Sequence, residues 1–153
     1  MFNSVTHSAI FVLDQDEAIE FYVGKLGLEV RSDVDLGFMR WLTIGVPGDA
    51  REILIEKAAP PAVSEEAAGQ VRDLLTKGAL GLGFILSTDD CRKTYEELSA
   101  KGVEFSQQPT EQPYGTDCAI RDPFGNHIRI GEPPAVEGEI TAEVMKRWEE
   151  ENG

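Results

Sequence analysis

A histidine and a carboxylate, His7 and Glu52, stand at matched places in two strand-like runs, Ser8-Ala9-Ile10-Phe11-Val12 and Ile53-Leu54. A neutral imidazole and a carboxylate can hold a divalent ion or move a proton. Roughly 76 residues later the same layout recurs, with Gly83 in place of His7 and Arg129 in place of Glu52. Glycine offers no side chain, and arginine is a permanent cation that coordinates nothing. One copy therefore carries ligand chemistry and the other carries none. Trp41, in mid-strand, suits stacking on a flat ligand or plain core packing, and Tyr114 suits a cavity rim or a turn. Cys91 and Cys118 have no histidine nearby to activate them and read as packed thiols. The chain contains no glycine-rich phosphate loop and no nucleophile elbow.

The elements that must position these residues follow from periodicity. In the first half the pattern predicts a strand at 5–13, a helix at 17–26, and strands at 28–34, 38–46 and 52–57. In the second it predicts a strand at 82–88, a helix at 92–101, and strands at 104–108, 118–122 and 127–131. Asp14 and Asp89-Asp90 cap the helices, and Gly27 and Gly102 end them in the left-handed conformation. Alternation along the strands gathers Ile10, Val12, Ile53, Ile55, Phe84, Leu86, Ile128 and Ile130 on one aliphatic face, suited to packing under the helices. The opposite face collects His7, Phe11, Glu52, Glu56, Gly83, His127 and Arg129, the mixture of apolar wall and orienting polar groups that a small-molecule pocket requires.

The organisation read from this pattern is a first βαβββ module at 1–57, a linker with a short helix at 58–79, a second module at 80–132, and an acidic helical tail at 133–153. The linker, opened by Pro60-Pro61 and capped by Ser64, is a spacer or a lid. In the tail, Ile140, Val144 and Trp148 make a narrow stripe that suits docking on the body or on a partner chain.

At 153 residues, 41% hydrophobic and 27% charged, the chain is long enough for a real core. Its formal charge of −14 opposes binding to nucleic acid or to an anionic membrane. There is no apolar run of membrane-spanning length, and the amino terminus lacks the pattern of a signal peptide. Two cysteines without metal-like spacing fit a reduced, cytoplasmic setting.

Strand, helix and three strands, repeated once, carry Phe21-Tyr22 in the first helix and Leu26-Gly27-Leu28-Glu29-Val30 after it. Asp122-Pro123-Phe124-Gly125-Asn126 precedes the last strand. Over about residues 4 to 132 this order resembles the vicinal oxygen chelate superfamily, which contains glyoxalase I, bleomycin-resistance proteins, fosfomycin-resistance enzymes and extradiol dioxygenases. The resemblance implies an α+β fold. Two tandem βαβββ modules would form a curved eight-stranded mixed sheet around a cavity, followed by a C-terminal helical tail, in a chain that pairs as a homodimer.

The resemblance also implies that a metal ligand belongs on the first and last strand of each half. Those positions are His7, Glu52, Gly83 and Arg129, so only two ligands remain where a catalytic metal wants three or more. The expectation is no metal cofactor, with Arg129 pairing with Glu52 in place of the ion, either as a structural pair or as an anchor for a ligand anion. The alternative is one divalent metal held by His7, Glu52 and His127, a two-histidine, one-carboxylate set serving a lyase or dioxygenase. The expected function is binding of a small organic molecule, with His7, Phe11, Trp41, Glu52, Tyr114 and Arg129 as ligand-binding residues. A metal-free enzyme with His7 or Glu52 as general base fits the same residue types.

Overall fold

The computed structural model describes residues 1–132 and 142–153. Ile140 of the tail stripe lies outside the described residues, as does the side chain of Val144. The chain divides into two compact units, Met1–Gly83 with Asp122–His127, and Phe84–Arg121 with Ile128–Gly153.

In the first unit, strands β1 (His7–Val12), β2 (Glu29–Asp35), β3 (Arg40–Gly45) and β4 (Glu52–Lys57) form a sheet in the order β1-β4-β3-β2. β1 runs parallel to β4, with His7 opposite Glu52 and Val12 opposite Lys57, and the other pairings are antiparallel. Helix α1 (Gln15–Ile19) begins where Asp14 accepts from the Glu17 amide at 2.8 Å, satisfying one of the donors that a helix start leaves orphaned. The expected helix does not stay α. From Glu20 to Lys25 it widens into a π-helical turn that buries Phe21 and Tyr22, then ends at Gly27 with φ +78°. The core lies on the face predicted from alternation, where Ile10, Val12, Leu42, Ile44 and Ile55 are all buried. Helix α2 (Glu65–Thr76), capped by Ser64, buries Ala68 and Leu75.

The second unit holds most of a sheet with the same connectivity: β5 (Leu82–Ser87), β6 (Phe105–Gln112), β7 (Gly115–Arg121) and β8 (His127–Gly131), in the order β5-β8-β7-β6. Helix α3 (Cys91–Ala100) is capped by Asp90, which accepts from the Lys93 amide at 3.0 Å. It buries Cys91 and Leu98, and Tyr95 meets Phe105 edge-on at 4.6 Å. Strands β6 and β7 run several residues longer than their sequence pattern suggests, closing as a hairpin through Pro113 and Tyr114. A final helix, α4, spans Ala142–Asn152. The eight strands thus hydrogen-bond as two four-stranded mixed sheets, one per βαβββ module. Among the described residues, no helix is long and apolar enough to cross a membrane.

Candidate functional site

The first unit presents, opposite its buried aliphatic face, a sheet face on which His7 is exposed and Phe11, Trp41, Glu52 and Leu54 are half-buried. Parallel register sets His7 directly beside Glu52, and the antiparallel pairing of Thr43 with Leu54 brings the Thr43 side chain to the same face. Thr43 donates its hydroxyl to Glu52 Oε1 at 2.7 Å, and His7 Nε2 lies 3.4 Å from Glu52 Oε2. The other histidine nitrogen, Nδ1, meets Thr6 Oγ1 at 2.9 Å. Trp41 tilts against the imidazole with 6.2 Å between ring centroids. Phe11, Leu54 and Trp41 are half-buried on this face, so apolar surface surrounds a short chain of polar contacts, Thr43 to Glu52 to His7.

Within the second unit, Arg129 has a partner on its own sheet other than the expected Glu52. Arg129 on β8 instead turns to Asp117 on the neighbouring strand β7, donating from Nε at 2.9 Å and again from Nη2. Its Nη2 also donates to Gln107 Oε1 at 3.1 Å. Asp117 further accepts from Gln107 Nε2 at 3.0 Å and from the Tyr114 hydroxyl at 2.9 Å. The reason is local: adjacent strands lie about 4.8 Å apart, so an acid one strand over is the first partner a guanidinium meets. With Asp117 2% exposed, the charge of Arg129 is balanced by a carboxylate drawn out of water. Hydrogen bonding to that carboxylate raises the Arg129 pKa further, and burial followed by Asp117 pushes the Tyr114 phenol up. A ligand anion would have to compete with Asp117 for this guanidinium.

Of the four positions at which the resemblance implies metal ligands, two carry donors. His7 and Glu52 supply two ligands. A side chain at 83 would press on the His127 carbonyl oxygen, 3.2 Å from an added Cβ, which is a steric reason for glycine there. His127 itself is half-buried at the start of β8. Among the described residues no three His, Cys, Asp or Glu side chains gather closely enough to hold an ion, so the set His7, Glu52 and His127 does not assemble within the chain.

The structure thus brings His7, Trp41 and Glu52 together in one unit, and Tyr114 and Arg129 together in the other. Phe11 shares the face of the first group, its carbonyl accepting from Asn126 Nδ2 at 2.7 Å. Thr43, Gln107 and Asp117 were not foreseen. The clue to Asp117 was its spacing two residues from Ala119 and out of step with Cys118, which places it on the face of the sheet away from α3 once the strand is started at Gly115. The two cysteines are free and fully buried, their sulfurs 3.4 Å apart, and burial pushes Cys118 up to about 12.

Known proteins carry the same pattern. Residues 4–130 match the family model described as Glyoxalase/Bleomycin resistance protein/Dioxygenase superfamily. An uncharacterized protein of Bacillus subtilis (strain 168), YurT, is 36% identical over 125 residues, covering 80% of this chain and 94% of its own length. The crystal structure of UcmS2 is 40% identical with a TM-score of 0.82, covering 86% of this chain and 99% of that one. That of TnmS3, an antibiotic binding protein from Streptomyces sp. CB03234, is 26% identical with a TM-score of 0.70, covering 87% and 98%. With both modules inside the matched region, the chain belongs to the Glyoxalase/Bleomycin resistance protein/Dioxygenase superfamily.

Proposed function

We propose that this protein binds a small organic molecule on the half-exposed face of its first sheet, as a binding protein without a metal centre of its own. The observation that carries this reading is the first sheet's face, where Phe11, Leu54 and Trp41 stay half-buried around the fixed Thr43–Glu52–His7 contacts. Apolar walls with a few oriented polar groups suit recognition more than they suit any named reaction. The likeness to TnmS3, described as antibiotic binding, supports the same reading. The chain is proposed to act as a homodimer in the cytoplasm, and the Tyr114–Asp117–Arg129 cluster of the second unit is proposed as a separate, charge-balanced polar group available to a ligand.

The test is a thermal-shift and tryptophan-fluorescence screen of bleomycin and a panel of fused-ring aromatic compounds on untagged protein. Its companion is metal analysis of the same preparation before and after titration with Fe(II), Mn(II), Ni(II) and Zn(II). The expected result is a saturable rise in Tm with fluorescence quenching, abolished in Trp41→Ala, and no stoichiometric metal. Stoichiometric metal that is lost in His7→Ala and Glu52→Ala, with no compound binding, would overturn the reading in favour of a metal-dependent lyase or dioxygenase.

A further inference from the structure

A pocket of about 240 Å³ lies within the first unit, at the end of the sheet away from His7. Glu56, on its wall, is four residues along β4 from Glu52, about 13 Å at the usual strand rise. Phe38, Met39, Pro60 and Pro61 supply apolar walls, and Glu56 and Lys57 supply charge. Glu56 shares the strand parity of His7 and Glu52, but none of His7, Phe11, Trp41, Glu52, Tyr114 and Arg129 lines the pocket, so the two sites can be tested separately. Its floor is fixed. Gln15, buried at the start of α1, donates to the Ile55 carbonyl at 2.9 Å and to the Arg40 carbonyl at 3.2 Å.

The charges decide what would enter. Arg40 is fully engaged: Nε and Nη2 each donate to Asp33 at 2.8 Å, and Nη1 donates to Asp16 at 2.7 Å. It is therefore not an open anion receptor. Lys57 is exposed, and its ammonium forms no ion pair among the described residues. Glu56 is half-buried, and its carboxylate forms no hydrogen bond or ion pair among the described residues. A charge partly removed from water gains most from a counter-ion. Phe38 stands 72% exposed at the mouth, offering a ring face to a cation. The net charge of −14 raises the local concentration of cations over anions.

We propose that this pocket binds a small organic ammonium ion carrying one apolar ring. The ammonium pairs with Glu56, and the ring packs among Phe38, Met39, Pro60 and Pro61. A pocket of this size, with apolar residues and one carboxylate on its wall, suits a single-ring amine.

The test is an amide-resolved NMR titration of the full chain with three matched probes: 2-phenylethylamine, 3-phenylpropanamide and 3-phenylpropionate. For a ligand of this size a Kd on the order of 1 mM is expected for the amine. Shifts should be confined to the amides of Phe38, Met39, Ala59 and Ala62 and their neighbours. The neutral amide should bind at least about fivefold more weakly and the acid more weakly still, because each leaves Glu56 unpaired. Glu56→Gln should weaken the amine about tenfold, and Lys57→Gln should leave it unchanged. Tightest binding of the acid, with dependence on Lys57, would overturn the proposal. So would equal binding of all three probes, or no shift up to about 10 mM, roughly tenfold above the expected Kd. The probe series on the unaltered chain keeps the test decisive even if Glu56→Gln fails to fold.

Discussion

Tyr22, in the π-helical turn that follows α1, donates its hydroxyl to Asp122 Oδ2 at 2.7 Å across a separation of one hundred residues. Asp122 is the hub of the turn before β8. Its Oδ1 accepts from the amides of Phe124, Gly125 and Asn126 at 3.0, 2.9 and 2.8 Å. Asn126 in turn donates to Asp122 Oδ2 and to the Phe11 carbonyl, both at 2.7 Å. The Asp-Pro-Phe-Gly-Asn turn is thereby built into the first unit, although it belongs to the second repeat in sequence.

Tyr22→Phe is expected to destabilise the protein by about 1–3 kcal/mol, since it removes a donor from a buried carboxylate. It should also change the alkaline response. Burial, then the charge of Asp122, holds the Tyr22 phenol far above its ordinary value near 10. Above pH 10 the unfolded tyrosine loses its proton while the folded one keeps it, so stability falls as pH rises. The expected contribution is up to about 1.4 kcal/mol per pH unit. Urea melts of both proteins from pH 8 to 11.5 check this, and parallel pH profiles would sink the assignment.

Arg129→Met should cost about 3 kcal/mol, because it strands a carboxylate that is 2% exposed. The double variant Arg129→Met/Asp117→Leu should recover part of that loss, as apolar replacement of both partners often does. A double variant no more stable than the single one in denaturant titration would show that the pair is not the source of the cost.

Two glycines should respond oppositely to alanine. At Gly125, with φ +118°, an added Cβ would stand 2.0 Å from the Leu75 carbonyl oxygen, so Gly125→Ala should cost about 3 kcal/mol or more. At Gly24 nothing lies within 4 Å and the helix continues, so Gly24→Ala should stabilise by about 0.5–1 kcal/mol. Thermal denaturation of both variants gives the answer directly.

The thiols of Cys91 and Cys118 should be silent in the native protein. Burial raises both, Cys118 to about 12, and neither reaches solvent. Ellman's reagent at pH 8 should therefore detect no thiol in native protein and two equivalents per chain in guanidinium. Rapid native reaction at either cysteine would contradict the packing described here.

Local rules written in the chain were enough for the elements and their order. The caps at Asp14, Ser64 and Asp90 depend on residues three positions away, and the glycine stops at Gly27 and Gly102 on backbone freedom alone. Period-two alternation separated the buried aliphatic face from the open one, because successive strand side chains must point to opposite sides. That His7, Phe11 and Glu52 share the opposite face was legible for the same reason. Partner choice was not. That Arg129 meets Asp117 on the neighbouring strand, and that Asp122 holds Tyr22 as well as closing its turn, depends on which strands and turns become neighbours in space. The π-turn at Glu20–Lys25 belongs with these, since its local geometry competes closely with an α-turn and packing of Phe21 and Tyr22 decides between them. Composition and spacing determined which groups this protein owns and which face of the sheet they share; only the tertiary structure decided which of them neutralise one another, because ion pairing and hydrogen bonding act over a few ångströms that sequence distance does not measure.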